Sequence, residues 1–180
     1  MSATIVIGID PGASGAAVIL CPRGDIIDMR RWADGTPAEM LEWLAEFDYG
    51  VAYLEQVGAM PKQGVASTFK FGWNAGWWEG ALAGLRIPLM ATPRPGIWQR
   101  DMGCMTKGDK NVSKRLAHKL WPRQVKQLTH ATADAALIAE WGRRKAVATG
   151  ATESDPAGVL EAVALDGVPT QEKASGGVQA

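Results

Sequence analysis

The chain has little of what staples or tethers a protein. Two cysteines, Cys21 and Cys104, in 180 residues exclude a disulfide framework and form no metal-ligand spacing. They fit a reducing cytoplasm. No apolar run approaches the roughly 18 residues that cross a bilayer, so neither a transmembrane span nor a membrane partner is expected. The N-terminus lacks the basic-then-apolar pattern of a secretory signal, and its first apolar run ends in Asp10. No phosphate-cradling Gly-x-x-x-x-Gly-Lys-Ser/Thr loop is present. Net charge is absent too, since 19 basic residues balance 19 acidic ones.

What is present is uneven. The hydrophobic fraction of 47% is that of a globular chain, and the length fits one domain with a real core. Between Arg86 and Lys126 ten basic residues face only Asp101 and Asp109, a net +8. From Ala151 onward five acids face Lys173 alone, a net −4. That asymmetry fits a polyanion-binding face and an acidic tail, although basic helix surfaces also arise simply as solvated faces.

The local signals alternate strand and helix. Residues 4–10 and 15–21 read as a hairpin, and Asp25 to Trp32 as a third strand. Thr36-Pro37-Ala38-Glu39 is a helix start, with Thr as cap, Pro first and Glu three residues on. Val51 to Val57 reads as a buried strand, Val65 to Leu85 as a long helix, and Ile87 to Ala91 as a short strand. On the long helix Gly72, Gly76, Gly80 and Gly84 recur every fourth residue, a line that admits close packing of another backbone. Trp98 falls on a short helical turn, Lys110 to Leu120 on a basic helix, and Ala131 to Trp141 on a closing helix. The order predicts an α/β fold: a mixed five-stranded sheet, three antiparallel strands and then parallel ones, flanked by helices. The domain is expected over residues 1–148, with 149–180 as a mobile acidic tail.

Two carboxylates stand out. Asp10 and Glu55 both fall near the C-terminal ends of strands expected to be central. If those strands are neighbours, the like charges come together, and a cation is their natural partner. Oxygen-only ligands suit Mg²⁺ or Mn²⁺. Asp134 on the closing helix is a candidate third acid, and such a set can support two-metal attack on a phosphodiester. Each acid has a plainer reading as well: a turn residue for Asp10, a salt-bridge partner for Glu55, a surface charge for Asp134.

Gly8-Ile9-Asp10-Pro11-Gly12 with Gly15, Leu54-Glu55-Gln56-Val57, and Ala133-Asp134-Ala135 together resemble the RuvC-type Holliday junction resolvases of the ribonuclease H-like superfamily. Ala59 to Gly64, Thr92-Pro93 ahead of Trp98, and Gly108-Asp109-Lys110 before a basic helix ending in Trp121-Pro122 are similar to the phage and prophage branch. The resemblance covers about residues 4–145. It implies a homodimeric, Mg²⁺-dependent endonuclease, with Mn²⁺ able to substitute, that nicks four-way DNA junctions. Asp10, Glu55 and Asp134 carry over as metal ligands, and Lys107 and Lys110 as basic groups near the scissile phosphate. Lys62, Arg94, Arg100, Lys107, Lys110 and Lys114 are the expected DNA contacts. The glycine-lined helix falls where the family builds its dimer interface.

The chain leaves the bacterial pattern at two places. Ala131 replaces a carboxylate three residues before Asp134, and His130, one turn before it, is the candidate stand-in as ligand or proton carrier. Gly58 replaces a junction-wedging aromatic, for which Met60 or Phe69 are alternatives. Cleavage of other branched DNA is therefore within the expectation. The same metal site would support ribonuclease H activity on RNA–DNA hybrids, and a non-catalytic junction-binding module would share the fold. An actin-like kinase half-domain would share the Asp10-Pro11-Gly12 turn but needs a duplicated domain and a second glycine-rich motif.

Overall fold

The computed structural model describes residues 4–148, except 13, 48–49, 57, 59–63, 107 and 110. Strands β1 (Val6–Asp10), β2 (Ala16–Leu20) and β3 (Ile26–Arg31) open the chain and pair antiparallel in sequence order. Helix α1 (Pro37–Ala45) starts at the expected cap: Glu39 N–H donates to the Thr36 hydroxyl, and Thr36 N–H donates back to Glu39 Oε2 at 2.7 Å. Strand β4 (Val51–Leu54) runs parallel to β1. Helix α2 (Val65–Gly84) leads to β5 (Leu89–Ala91), parallel to β4. Helices α3 (Pro95–Asp101), α4 (Asn111–Leu120) and α5 (His130–Ala148) follow. The sheet order β3-β2-β1-β4-β5 is the mixed five-stranded arrangement read from the sequence.

Alternation along the strands sorts two apolar layers. On one face Ile7, Ile9, Ile19 and Leu54 pack against Met40 and Trp43 of α1 and Trp78 and Leu82 of α2. On the other, Val6, Val18 and Tyr53 pack against the alanine-rich face of α5, with Trp98 of α3 and Ala117 of α4. Small residues let α5 lie close to β1. A Cβ on Gly8 would stand 2.7 Å from Ala139 Cα, and closer still to Ala135 O and Ala139 N. Gly8 and Tyr53 thus face α5. Asp10 and Glu55, two residues beyond each, project by the same period toward that helix.

Two boundaries differ most from expectation, the others by one or two residues. Strand β4 is Val51–Leu54, shorter than expected, although Glu55 N–H still donates to Ile9 O and Gln56 N–H to Pro93 O, each at 2.9 Å; Val57 lies outside the described residues. Helix α5 passes Trp141 and continues to Ala148. Gly142 is no terminator there: a Cβ on it would stand 2.6 Å from Tyr53 Cγ, so its missing side chain is room for that ring. The expected tail, 149–180, lies outside the described residues.

Candidate active site

Asp10 closes β1, and Glu55 directly follows β4. The two strands are neighbours, with Ile9 opposite Leu54, and Glu55 N–H donates to Ile9 O at 2.9 Å. Parallel pairing therefore brings the two carboxylates together at one edge, as the sequence predicted for neighbouring strands. Asp134, on the second turn of α5, adds a third negative charge felt by Glu55.

The electrostatics show the crowding. Burial raises the Asp10 carboxyl above its usual range, opposed by a hydrogen bond from Gly12 N–H to Oδ1 at 3.0 Å. Glu55 is pushed up to about 8, first by burial, then by Asp10 and, to a smaller degree, by Asp134. The Trp98 indole N–H opposes this, donating to Glu55 Oε1 at 2.8 Å. Negative charge of Asp134 also reaches Cys104, whose thiol rises to about 11, mainly through burial.

An oxygen-only, mutually repelling carboxylate set fits a hard divalent cation by donor chemistry. As the side chains stand, no group of three or more His, Cys, Asp or Glu among the described residues is placed to hold one. His130 is exposed at the first residue of α5, one turn before Asp134.

The expected DNA contacts divide. Arg94 precedes α3 and is exposed, its Nε donating at 3.0 Å to Oε1 of Gln56, the residue after Glu55. Arg100 is exposed but paired with Asp101 at 3.1 Å. Lys114 is half-buried on α4. Lys62, Lys107 and Lys110 lie outside the described residues, as do Val57, Met60 and most of the Ala59–Gly64 phrase. Sequence reading placed Trp98 without a role and missed Gln56 and Asn74. Asn74 is buried on α2, and its Nδ2 donates to Gly12 O at 3.5 Å over the turn that follows Asp10.

The fold of this chain, a mixed five-stranded sheet flanked by helices, is that of RuvC. Thermus thermophilus RuvC superposes with a TM-score of 0.58 at 17% identity, over 81% of this chain and 98% of that one. The same protein in complex with a Holliday junction substrate gives a TM-score of 0.57 at 17% identity, over 79% of this chain and 96% of that one. In sequence, the chain is 33% identical over 93 residues to the chloroplastic Holliday junction resolvase MOC1 of Chlamydomonas reinhardtii. That match takes in 49% of this chain but only 10% of the algal protein's length. No family model matches. Both relatives agree with the resemblance carried by the motifs. Among the described residues, no helix is long and apolar enough to cross a membrane.

Proposed function

We propose that the protein is a metal-dependent, structure-specific endonuclease that cleaves Holliday junctions and other branched DNA by two-metal phosphodiester hydrolysis. The observation that supports this reading is the pairing of the strands that end at Asp10 and Glu55, with Asp134 on the facing helix acting electrostatically on Glu55, in the fold of RuvC. The three carboxylates would hold a divalent metal, Mg²⁺ or Mn²⁺. When bound, the metal activates water and neutralises charge building on the phosphate. Arg94, fixed by Gln56 through Nε, presents the rest of its guanidinium fork to a phosphate oxygen next to the acids. The basic Arg86–Lys126 segment supplies backbone contacts that position the DNA without reading sequence.

The protein acts as a homodimer in the host or bacterial cytoplasm. Support for the dimer comes from α2. Its inward side carries Asn74, Trp78, Ala81 and Leu82, all buried. The opposite side carries Val65, Phe69 and Trp73, which are exposed, and Gly72, Gly76, Gly80 and Gly84, around which a Cβ would meet nothing within 4 Å. An apolar, small-residue helix face of this kind suits close approach of a second copy.

The test is a panel of labelled four-way, three-way, flap, linear and RNA–DNA hybrid duplexes incubated with Mg²⁺ or Mn²⁺. Cleavage of branched substrates above the linear control is expected. A folded dimer that cuts none of them would sink the reading, and preference for the hybrid would redirect it to ribonuclease H activity.

A further inference from the structure

Trp98 is fully buried on α3, among Met102, Cys104, Ala117 and Trp121. Its indole N–H emerges from that cluster and donates to Glu55 Oε1, 43 positions away, at 2.8 Å. Packing alone does not call for this bond. Trp78 is equally buried, yet among the described residues its indole N–H finds no partner. In the apolar layer on the other face of the sheet, then, an indole is buried without using its N–H. A phenylalanine at 98 would supply most of the ring and none of the donor.

The ring is also held from behind. Asp101, one turn further along α3, accepts from Trp141 Nε1 of α5 at 3.0 Å and pairs with Lys145 at 3.3 Å. Helix α3 is thereby fastened to α5, the helix that carries Asp134. Met102 N–H closes the last turn of α3 on Trp98 O at 2.9 Å. The indole is a fixed point in the same rigid unit as the third acid, and a carboxylate bonded to it inherits that position.

We propose that Trp98 is a positioning residue: its indole N–H fixes the Glu55 carboxylate in one rotamer through Oε1, leaving Oε2 as the oxygen free to ligate. This rests on the nuclease reading above. A glutamate carboxylate on three rotatable bonds, crowded by the charges of Asp10 and Asp134, would otherwise turn away from its neighbours. Hydrogen bonds that orient a ligating side chain typically set metal affinity or activity by about 10–100-fold.

The test is W98F in the full chain, probed with Mn²⁺ alone by calorimetry without DNA, and with junction cleavage at rising Mn²⁺. The expected result is a Kd for Mn²⁺ raised about tenfold. Half-maximal cleavage should shift to higher Mn²⁺ by a similar factor, with the rate at saturating metal largely restored. A lower melting temperature with unchanged Mn²⁺ affinity would make Trp98 a packing residue and overturn the proposal. If W98F does not fold, the wild type decides. One of its eight tryptophan indole N–H resonances should move both on adding Mg²⁺ and on substituting E55A. No resonance answering to both overturns the proposal. Failure of the wild type to bind Mn²⁺ at all is a different result, because it overturns the nuclease reading itself.

Discussion

Gly8 of β1 and Ala139 of α5 meet backbone to backbone, and a Cβ on Gly8 would come within 2.7 Å of Ala139 Cα. That contact sets the height of α5 above the sheet, and with it the reach of Asp134 toward Asp10 and Glu55. Neither neighbour is a flexible side-chain end, so G8A cannot be absorbed by a rotamer change. It should cost about 3 kcal/mol, at the upper end of ordinary overpacking. For a chain of this size that is a fall in Tm of roughly 6–12 °C, read by thermal unfolding. A fall under a few degrees would mean that α5 lifts freely.

D10N removes one charge while keeping the shape and the acceptor for Gly12 N–H. Cleavage should be abolished. Junction affinity, read by fluorescence anisotropy at fixed salt, should stay within a few-fold, because phosphate contacts supply most of it. Mg²⁺ should raise the Tm of the wild type by binding the folded state, and do so less in D10N. Equal activity in the variant would remove Asp10 from the site.

The positions of the three candidate acids in the fold were legible because strand alternation and a tight turn place carboxylates in ways that residue order reveals. Asp10 ends an apolar run, Glu55 ends another, and Asp134 lies near the start of an alanine-rich helix. What joins them was not legible. The Trp98–Glu55 bond links residues 43 apart and leaves no periodic trace. The closing helix was expected to end at Trp141, yet it runs on through Gly142 to Ala148. The use of Gly142 depends on Tyr53, which arrives from a distant strand. The glycine repeat of α2 was visible as a packing face, but only the fold shows that the face turns outward, opposite Trp78 and Leu82.

Glu55 gives the pH behaviour of the metal-free protein a definite sign. Its carboxyl rises from 4.5 to about 8 on folding, chiefly through burial. The folded state therefore holds a proton that the unfolded chain releases. The stability this contributes is present below 4.5 and is lost as the pH rises through about 8. Without metal, Tm should fall across that window. E55Q keeps an oxygen for Trp98 and removes the charge. At pH 8 it should be more stable than the wild type by about 2 kcal/mol, or roughly 4–8 °C, and inactive. The check is a series of melts with a chelator present. An E55Q curve that tracks the wild type at every pH would mean that the Glu55 charge is not confined as the fold indicates.

His130 stands at the first residue of α5, one turn before Asp134, where the bacterial resolvase pattern holds a carboxylate at the next position. Being exposed, it contributes little packing, so H130A should leave Tm within a degree or two of the wild type. A site role and a structural role then separate cleanly. If the imidazole carries a proton or touches the metal, cleavage at saturating Mg²⁺ should fall by about 100-fold, the lower end for loss of a positioned acid–base group. Junction affinity should barely change, because the imidazole adds little to the phosphate contacts. A rate within twofold of the wild type would assign the last role at this site to Asp134 alone. The three acids would then have to suffice without any substitute for the carboxylate that Ala131 lacks.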